Sequence, residues 1–180
     1  MKKIKDTDNV TLYDYNLALD LYYYTSTWKE QKKILKKSDL ELFMRDRGSK
    51  IDLLNIQWIY RAKKYYNMKP ADIYLMLIPI HYKLSTELVK DMVEAPGVEE
   101  FENVVIRTTY ARHYNFKQNL TMEQMYADCL HHLYTADRRK NPYSVSAINT
   151  YLFLKEEEIK KLTTLSLIHI SEPTRQAEIS

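Results

Sequence analysis

Cys129, His131 and His132 lie together, and Cys129 and His132 are spaced to share one face of a helix. A thiol and an imidazole so placed could begin a metal site, but a site needs further ligands. His81 and His113 are far away in sequence and supply none locally. A packed Cys and His is the simpler reading, and we expect no metal, cofactor or catalytic group. The single cysteine has no internal disulfide partner, so a reducing compartment is the default. Lys63-Lys64-Tyr65-Tyr66 has the residue types that hold phosphates and stack bases. Acidic residues are interleaved with the basic ones throughout, which argues against nucleic acid and favours tyrosines that pack helices. No Ser-His-Asp order, phosphate loop or paired-carboxylate spacing emerges, so a small-molecule substrate is not expected.

Arg61 and Glu156 form the other constellation. Each stands one helical turn from apolar neighbours, so burying either alone would be costly and each could satisfy the other. A buried bidentate pair would fix which helices meet and in what register. The alternative has both side chains reaching solvent along their apolar stems. With a buried pair, Arg61→Met is expected to destabilise more than Lys63→Met.

The elements that position these residues are helices. Asp8 or Asn9 can cap a helix from about Thr11 to Lys36, with Tyr13, Leu17, Leu21, Tyr24 and Trp28 as its buried stripe and a strongly basic end. Ser38-Asp39-Leu40-Glu41 reads as a capping box opening a short helix that Gly48 closes in a left-handed conformation. A second long helix follows from about Ile51 to Tyr66, with Ile51, Leu54, Trp58, Ala62 and Tyr65 on one face, Arg61 in that stripe and Asn67 as its stop. Pro70 suits the first turn of a helix over Ala71 to Leu77, and Pro79 ends it. Ser85 caps Thr86 to Ala95, Pro96-Gly97 makes a turn, and Val98 to Tyr110 is helical. Thr121-Met122-Glu123-Gln124 is a capping box for a helix to about Asp137, with Met125, Cys129, His132 and Leu133 on one side. After a connector ending in Asn141-Pro142, Tyr143 to Thr163 places Val145, Ile148, Leu152, Ile159 and Leu162 on one face, with Glu156 between them.

Composition agrees. The chain of 180 residues holds 2 Gly and 5 Pro against 16 Tyr and 7 Met, too few turn formers for a β-sandwich or a Gly-rich phosphate loop. At +3, its excess of basic residues is spread along the chain. No apolar run approaches the roughly 20 residues of a membrane-spanning helix, which points to a soluble or membrane-peripheral protein. The residues by themselves give an all-α multi-helix bundle, and a stand-alone helical interaction adaptor is the reading they reach unaided.

In order, Leu17-Ala18-Leu19-Asp20-Leu21-Tyr22-Tyr23, Ile51-Asp52-Leu53-Leu54-Asn55-Ile56-Gln57-Trp58-Ile59-Tyr60-Arg61-Ala62-Lys63, Leu77-Ile78-Pro79, Asn141-Pro142-Tyr143-Ser144 and Lys155-Glu156-Glu157-Glu158-Ile159 resemble the C/d-type family of V-type ATPase subunits, named C in one branch and d in eukaryotes. The resemblance runs over nearly all of residues 1–164, and the second segment is its most specific part. It implies a partial funnel of helical bundles, corresponding to the C-terminal portion of family members. The implied function is non-catalytic: a central-stalk rotor part of a V-type ATPase or ATP synthase. It would join subunits D and F to the membrane proteolipid ring, peripherally on the cytoplasmic face, for proton or sodium transport. It marks Arg61, Pro79, Pro142, Glu156 and Glu158 as structural residues.

The tail reads differently. Leu165-Ser166-Leu167-Ile168-His169-Ile170 alternates like a short strand, yet the string from Leu165 to Arg175 resembles the in-frame translation of a transposon-type sequencing-library adapter. Residues 1–164 are therefore expected to carry the fold, with 165–180 extraneous and unstructured.

Overall fold

The computed structural model describes residues 11–111, 121–140 and 143–171. Seven helices are found among them: α1 Leu12–Ile34, α2 Lys37–Lys64, α3 Pro70–Met76, α4 Thr86–Glu94, α5 Val98–Ile106, α6 Met122–Lys140 and α7 Val145–Ser171. The all-α expectation holds for these residues, which include no strand. None of the described helices is long and apolar enough to cross a membrane.

The chain divides into two units, Met1–His132 and Leu133–Ser180. In the first, α1 starts at Leu12 with Thr11 as its N-cap, close to the expected start, and the candidate caps Asp8 and Asn9 lie outside the described residues. The Thr11 hydroxyl accepts from the Asp14 amide at 3.3 Å, and the Asp14 carboxyl accepts from the Thr11 amide at 2.9 Å. This reciprocal box satisfies two amides that a helix start otherwise leaves open. Leu21, Tyr24 and Trp28 carry α1 onto Phe43, Met44, Ile51, Leu54 and Trp58 of α2 and onto Ile78 and Ile80. The expected stripe thus makes the contact in its second half, while Tyr13 at its start is exposed.

α2 is one helix, where the sequence suggests two. Gly48 does not close anything; it sits in mid-helix, and no glycine among the described residues has a positive φ. A Cβ at Gly48 would lie 2.6 Å from Tyr82 Cγ and 2.7 Å from Tyr82 Cβ, so this glycine serves a close approach. The Ser38 box is not formed either, because the helix starts at Lys37 with Lys36 as an N-cap that lends no side chain. The C-terminal half of α2 is enclosed nearly all round, with Ile51, Leu53, Ile56, Ile59, Tyr60 and Ala62 buried. Asn67, with φ 44°, ends the run as expected, and the Met68 amide returns to the Ala62 carbonyl at 3.0 Å.

α4 and α5 pack on α2 and on each other through Val89, Met92, Val93, Phe101 and Val105. Ser85 caps α4 by accepting from the Leu88 amide, and Thr121 with Gln124 completes the capping box of α6.

The second unit is built differently. Tyr134 stacks on Phe153 with ring centroids 4.6 Å apart, and the buried Thr150 hydroxyl donates to the Tyr134 carbonyl at 2.8 Å. The packed face of α7 is therefore centred on Thr150 and Phe153. The face expected to be buried, with Val145, Ile148, Leu152, Ile159 and Leu162, is exposed. Periodicity locates an apolar face but does not say whether this chain covers it. α7 also continues through 165–171, where no structure was expected, because extending an existing helix adds a hydrogen bond for each residue fixed.

Candidate functional site

One buried stripe of α2 is Gly48, Asp52, Asn55, Ile59 and Ala62, at alternating spacings of four and three. It lies beside the expected apolar stripe of Ile51, Leu54, Trp58, Ala62 and Tyr65, which shares Ala62 with it, buries Ile51, half-buries Leu54 and Trp58 against α1 and leaves Tyr65 exposed. Its polar members hold the segment between α3 and α4.

Asn55 makes a two-way grip on a single peptide unit. Its Nδ2 donates to the Ile78 carbonyl and its Oδ1 accepts from the Ile78 amide, each at 3.0 Å. Pro79 follows, and the Ile80 amide closes a tight turn onto the Ile78 carbonyl at 2.8 Å. Proline suits the middle of such a turn, since its fixed φ matches the inverse γ geometry. Pro79 is exposed while Ile78 and Ile80 beside it are buried.

One turn back along α2, Asp52 is fully buried. Its Oδ1 accepts from the Tyr82 amide at 3.1 Å; its Oδ2 accepts from the Lys83 amide at 2.7 Å and the Leu84 amide at 3.2 Å. The Tyr110 hydroxyl donates to the same Oδ2 at 2.7 Å. One side chain thus satisfies three consecutive backbone donors that a loop would otherwise leave unpaired. Burial, and then the neighbouring Asp52, hold the Tyr110 phenol well above the ordinary tyrosine range. Gly48 completes the arrangement by admitting Tyr82 against the helix. We call residues 77–84, held at Ile78 and at Tyr82 to Leu84, the strap.

Lys63 fixes the next element. Its Nζ donates to the Val93 carbonyl at 2.7 Å and the Ala95 carbonyl at 2.6 Å, at the C-terminal end of α4. A cation there meets the negative end of the helix dipole and two open carbonyls. Partial burial lowers the Lys63 pKa from its ordinary value. The neighbouring Lys64 lies 5.0 Å from the Tyr60 ring and 5.4 Å from the Tyr65 ring, while Tyr65 and Tyr66 are exposed.

Of the two readings for Arg61, a buried pair or a side chain reaching solvent, the structure has the second: it is 53% exposed, with its Nε 3.7 Å from Glu123 Oε1. The long stem keeps the guanidinium in solvent, so no desolvated charge demands a partner. Glu156 is exposed on α7, and Glu158 pairs with Lys155 at 2.7 Å within the same helix. Pro142 lies outside the described residues. These contacts lead to the opposite expectation, that Lys63→Met destabilises more than Arg61→Met.

Cys129 Sγ lies 3.7 Å from the Tyr110 carbonyl, and burial together with Asp128 raises its pKa from 9.0 to about 11. Such a thiol is a packing group with little thiolate at neutral pH. His132 is exposed. Among the described residues no group of three or more His, Cys, Asp or Glu is placed to hold a metal ion.

Asp52 and Asn55 carry the site, and neither is among the candidate residues that spacing and hydropathy single out. The signal was present: two polar residues three apart, inside the apolar run Ile51 to Ile59, share a helical face that the surrounding residues bury.

Buried polar groups spent on fixing backbone and packing helices are the pattern of a helical scaffold. A family model for the ATP synthase (C/AC39) subunit matches residues 2–167, and the chain belongs to that family. Its members are accessory subunits of V-type ATP synthases. Comparison with curated proteins and with solved structures found no match.

Proposed function

We propose that the chain is a non-catalytic part of the central stalk, the rotor, of a V-type ATPase or ATP synthase. It couples the central axle, with subunits D and F, to the membrane proteolipid ring during proton or sodium transport, and it sits peripherally on the cytoplasmic face. The observation that carries this reading is the family match over residues 2–167. The strap supports it physically. A part that passes torque must not yield between its contacts, and α2 ties α1, the strap and α4 together through short-range polar bonds as well as apolar packing. Pro79 acts in this reading as the fixed turn of the strap. Arg61, Glu156, Glu158 and Pro142 have scaffold or interface roles, and residues 165–180 are extraneous to the working part.

Co-expression of the tagged chain with the proteins of the proteolipid ring and axle, followed by purification in mild detergent, tests the reading. The tagged chain is expected to bring down both. Recovery of the folded chain without either would leave the stand-alone adaptor.

A further inference from the structure

α1 has two stripes on opposite sides of its axis. One, through Leu21, Tyr24 and Trp28, meets α2. The other runs Leu12, Tyr15, Leu19, Tyr22, Ser26, Lys29, Lys33, at spacings that alternate three and four without interruption. Its four apolar members are 76%, 52%, 62% and 62% exposed, and Lys29 and Lys33 are exposed as well. Such spacing sets these residues in one stripe, or seam, along the helix, the register in which a second helix can lie against it. The seam is apolar over its first half and basic over its second. Around that basic end the chain places five lysines, Lys29, Lys32, Lys33, Lys36 and Lys37, against the single acid Glu30. Lys32 lies over the Trp28 ring at 5.1 Å. Among the described residues Lys29, Lys33, Lys36 and Lys37 make no ion pair.

We propose that this outer seam of α1 docks a partner helix whose matching face is apolar in one half and acidic in the other. The distribution of charge selects the partner. A helix lying on a lipid surface segregates apolar and basic residues around its axis, so that one side enters the bilayer along its whole length. Here they are segregated along the axis. A lipid surface could bury only the Leu12 to Tyr22 half of this face, since the lysines of the other half would stay at the headgroups. A helix with acidic residues there pairs with them while its apolar half covers the leucines and tyrosines. The tyrosines suit such a seam, since each can bury its ring and keep its hydroxyl at the wet edge. The inference stands whether or not the chain works in a rotor, because it rests on this face alone.

The test uses the full chain and two synthetic three-heptad helical peptides. Both carry leucine at the seam positions of one half; the other half carries glutamate in one peptide and lysine in its twin. Binding is read by fluorescence anisotropy of the labelled peptide at low salt. The glutamate peptide is expected to bind about tenfold or more tightly than its twin. The double variant Lys29→Glu with Lys33→Glu should reverse that preference, and Leu19→Glu should weaken binding of both peptides. All three positions are exposed, so unchanged circular dichroism and denaturation midpoints will separate lost docking from lost folding. Equal affinity for the two peptides, no binding of either, or binding only to phosphatidylserine vesicles would overturn the proposal.

Discussion

α2 and α7 are of nearly equal length, 28 and 27 residues, and both carry apolar residues at helical spacing, yet they are held in different ways. α2 offers the chain a face with a glycine, a carboxyl group and an amide among its apolar residues. Each of these has a defined counterpart: Tyr82 at Gly48, three amides and a phenol at Asp52, and both ends of the Ile78 peptide unit at Asn55. α7 is held within its own unit around Thr150 and Phe153, and its richest apolar face is left open. The difference teaches that the strength of an apolar stripe does not decide which face is used internally. In these two helices the polar side chains with defined counterparts, Asp52 and Asn55 in α2 and Thr150 in α7, lie on the face that the chain buries.

This contrast can be broken most forcefully at Asp52. Asp52→Ala strands three amides and the Tyr110 hydroxyl in a buried site, and should cost about 3–5 kcal/mol in chemical denaturation. Asn55→Ala removes two hydrogen bonds and should cost about 2–3 kcal/mol. If both variants unfolded with the wild-type midpoint, the strap would not be held by α2.

In α7, Phe153→Ala should cost about 2–3 kcal/mol, because it removes the ring stacked on Tyr134. Ile148→Ala, on the open face, should stay within about 0.5 kcal/mol. A larger loss at Ile148 than at Phe153 would mean that the faces have been assigned the wrong way round.

Lys63→Met should cost about 1–2 kcal/mol by opening two carbonyls at the end of α4. Arg61→Met, at an exposed and long pair, should cost under about 0.5 kcal/mol. Parallel thermal melts of the two variants will decide the order.

The smallest effect concerns pH. Cys129 has a folded pKa of about 11 against an ordinary 9.0, so above about pH 9 the unfolded chain releases a proton that the folded chain keeps. Stability from this group is full below pH 9 and falls as pH rises toward 11. The raised Tyr110 phenol acts in the same direction at higher pH. Cys129→Ala should flatten the decline between pH 9 and 11, and an unchanged slope would remove Cys129 from the account.

Much of this architecture can be read from the residues. Ser85, Thr121 with Gln124, Pro70 and Asn67 mark helix ends by local chemistry, and local chemistry does not depend on distant contacts. The family resemblance is likewise carried by residues close in sequence. What cannot be read this way depends on long-range partners. Gly48 looks like a helix end until Tyr82 is known to lie against it. Arg61 and Lys63 differ by two positions, and only the placement of α4 shows that Lys63 is the one with carbonyls to cap. The burial of Asp52 and Asn55 has the same cause: the strap contributes backbone donors, which leave no trace in the hydropathy of the helix that binds them.

The central claim is that α2 holds the strap through Asp52 and Asn55, and native-state hydrogen exchange tests it most directly. In the wild-type chain the amides of Ile78, Tyr82, Lys83 and Leu84 should exchange as slowly as those in the middle of α2. Asp52→Ala should release Tyr82, Lys83 and Leu84 while leaving Ile78 protected by Asn55. Rapid exchange of all four amides in the wild-type chain, alongside a protected α2, would contradict the account.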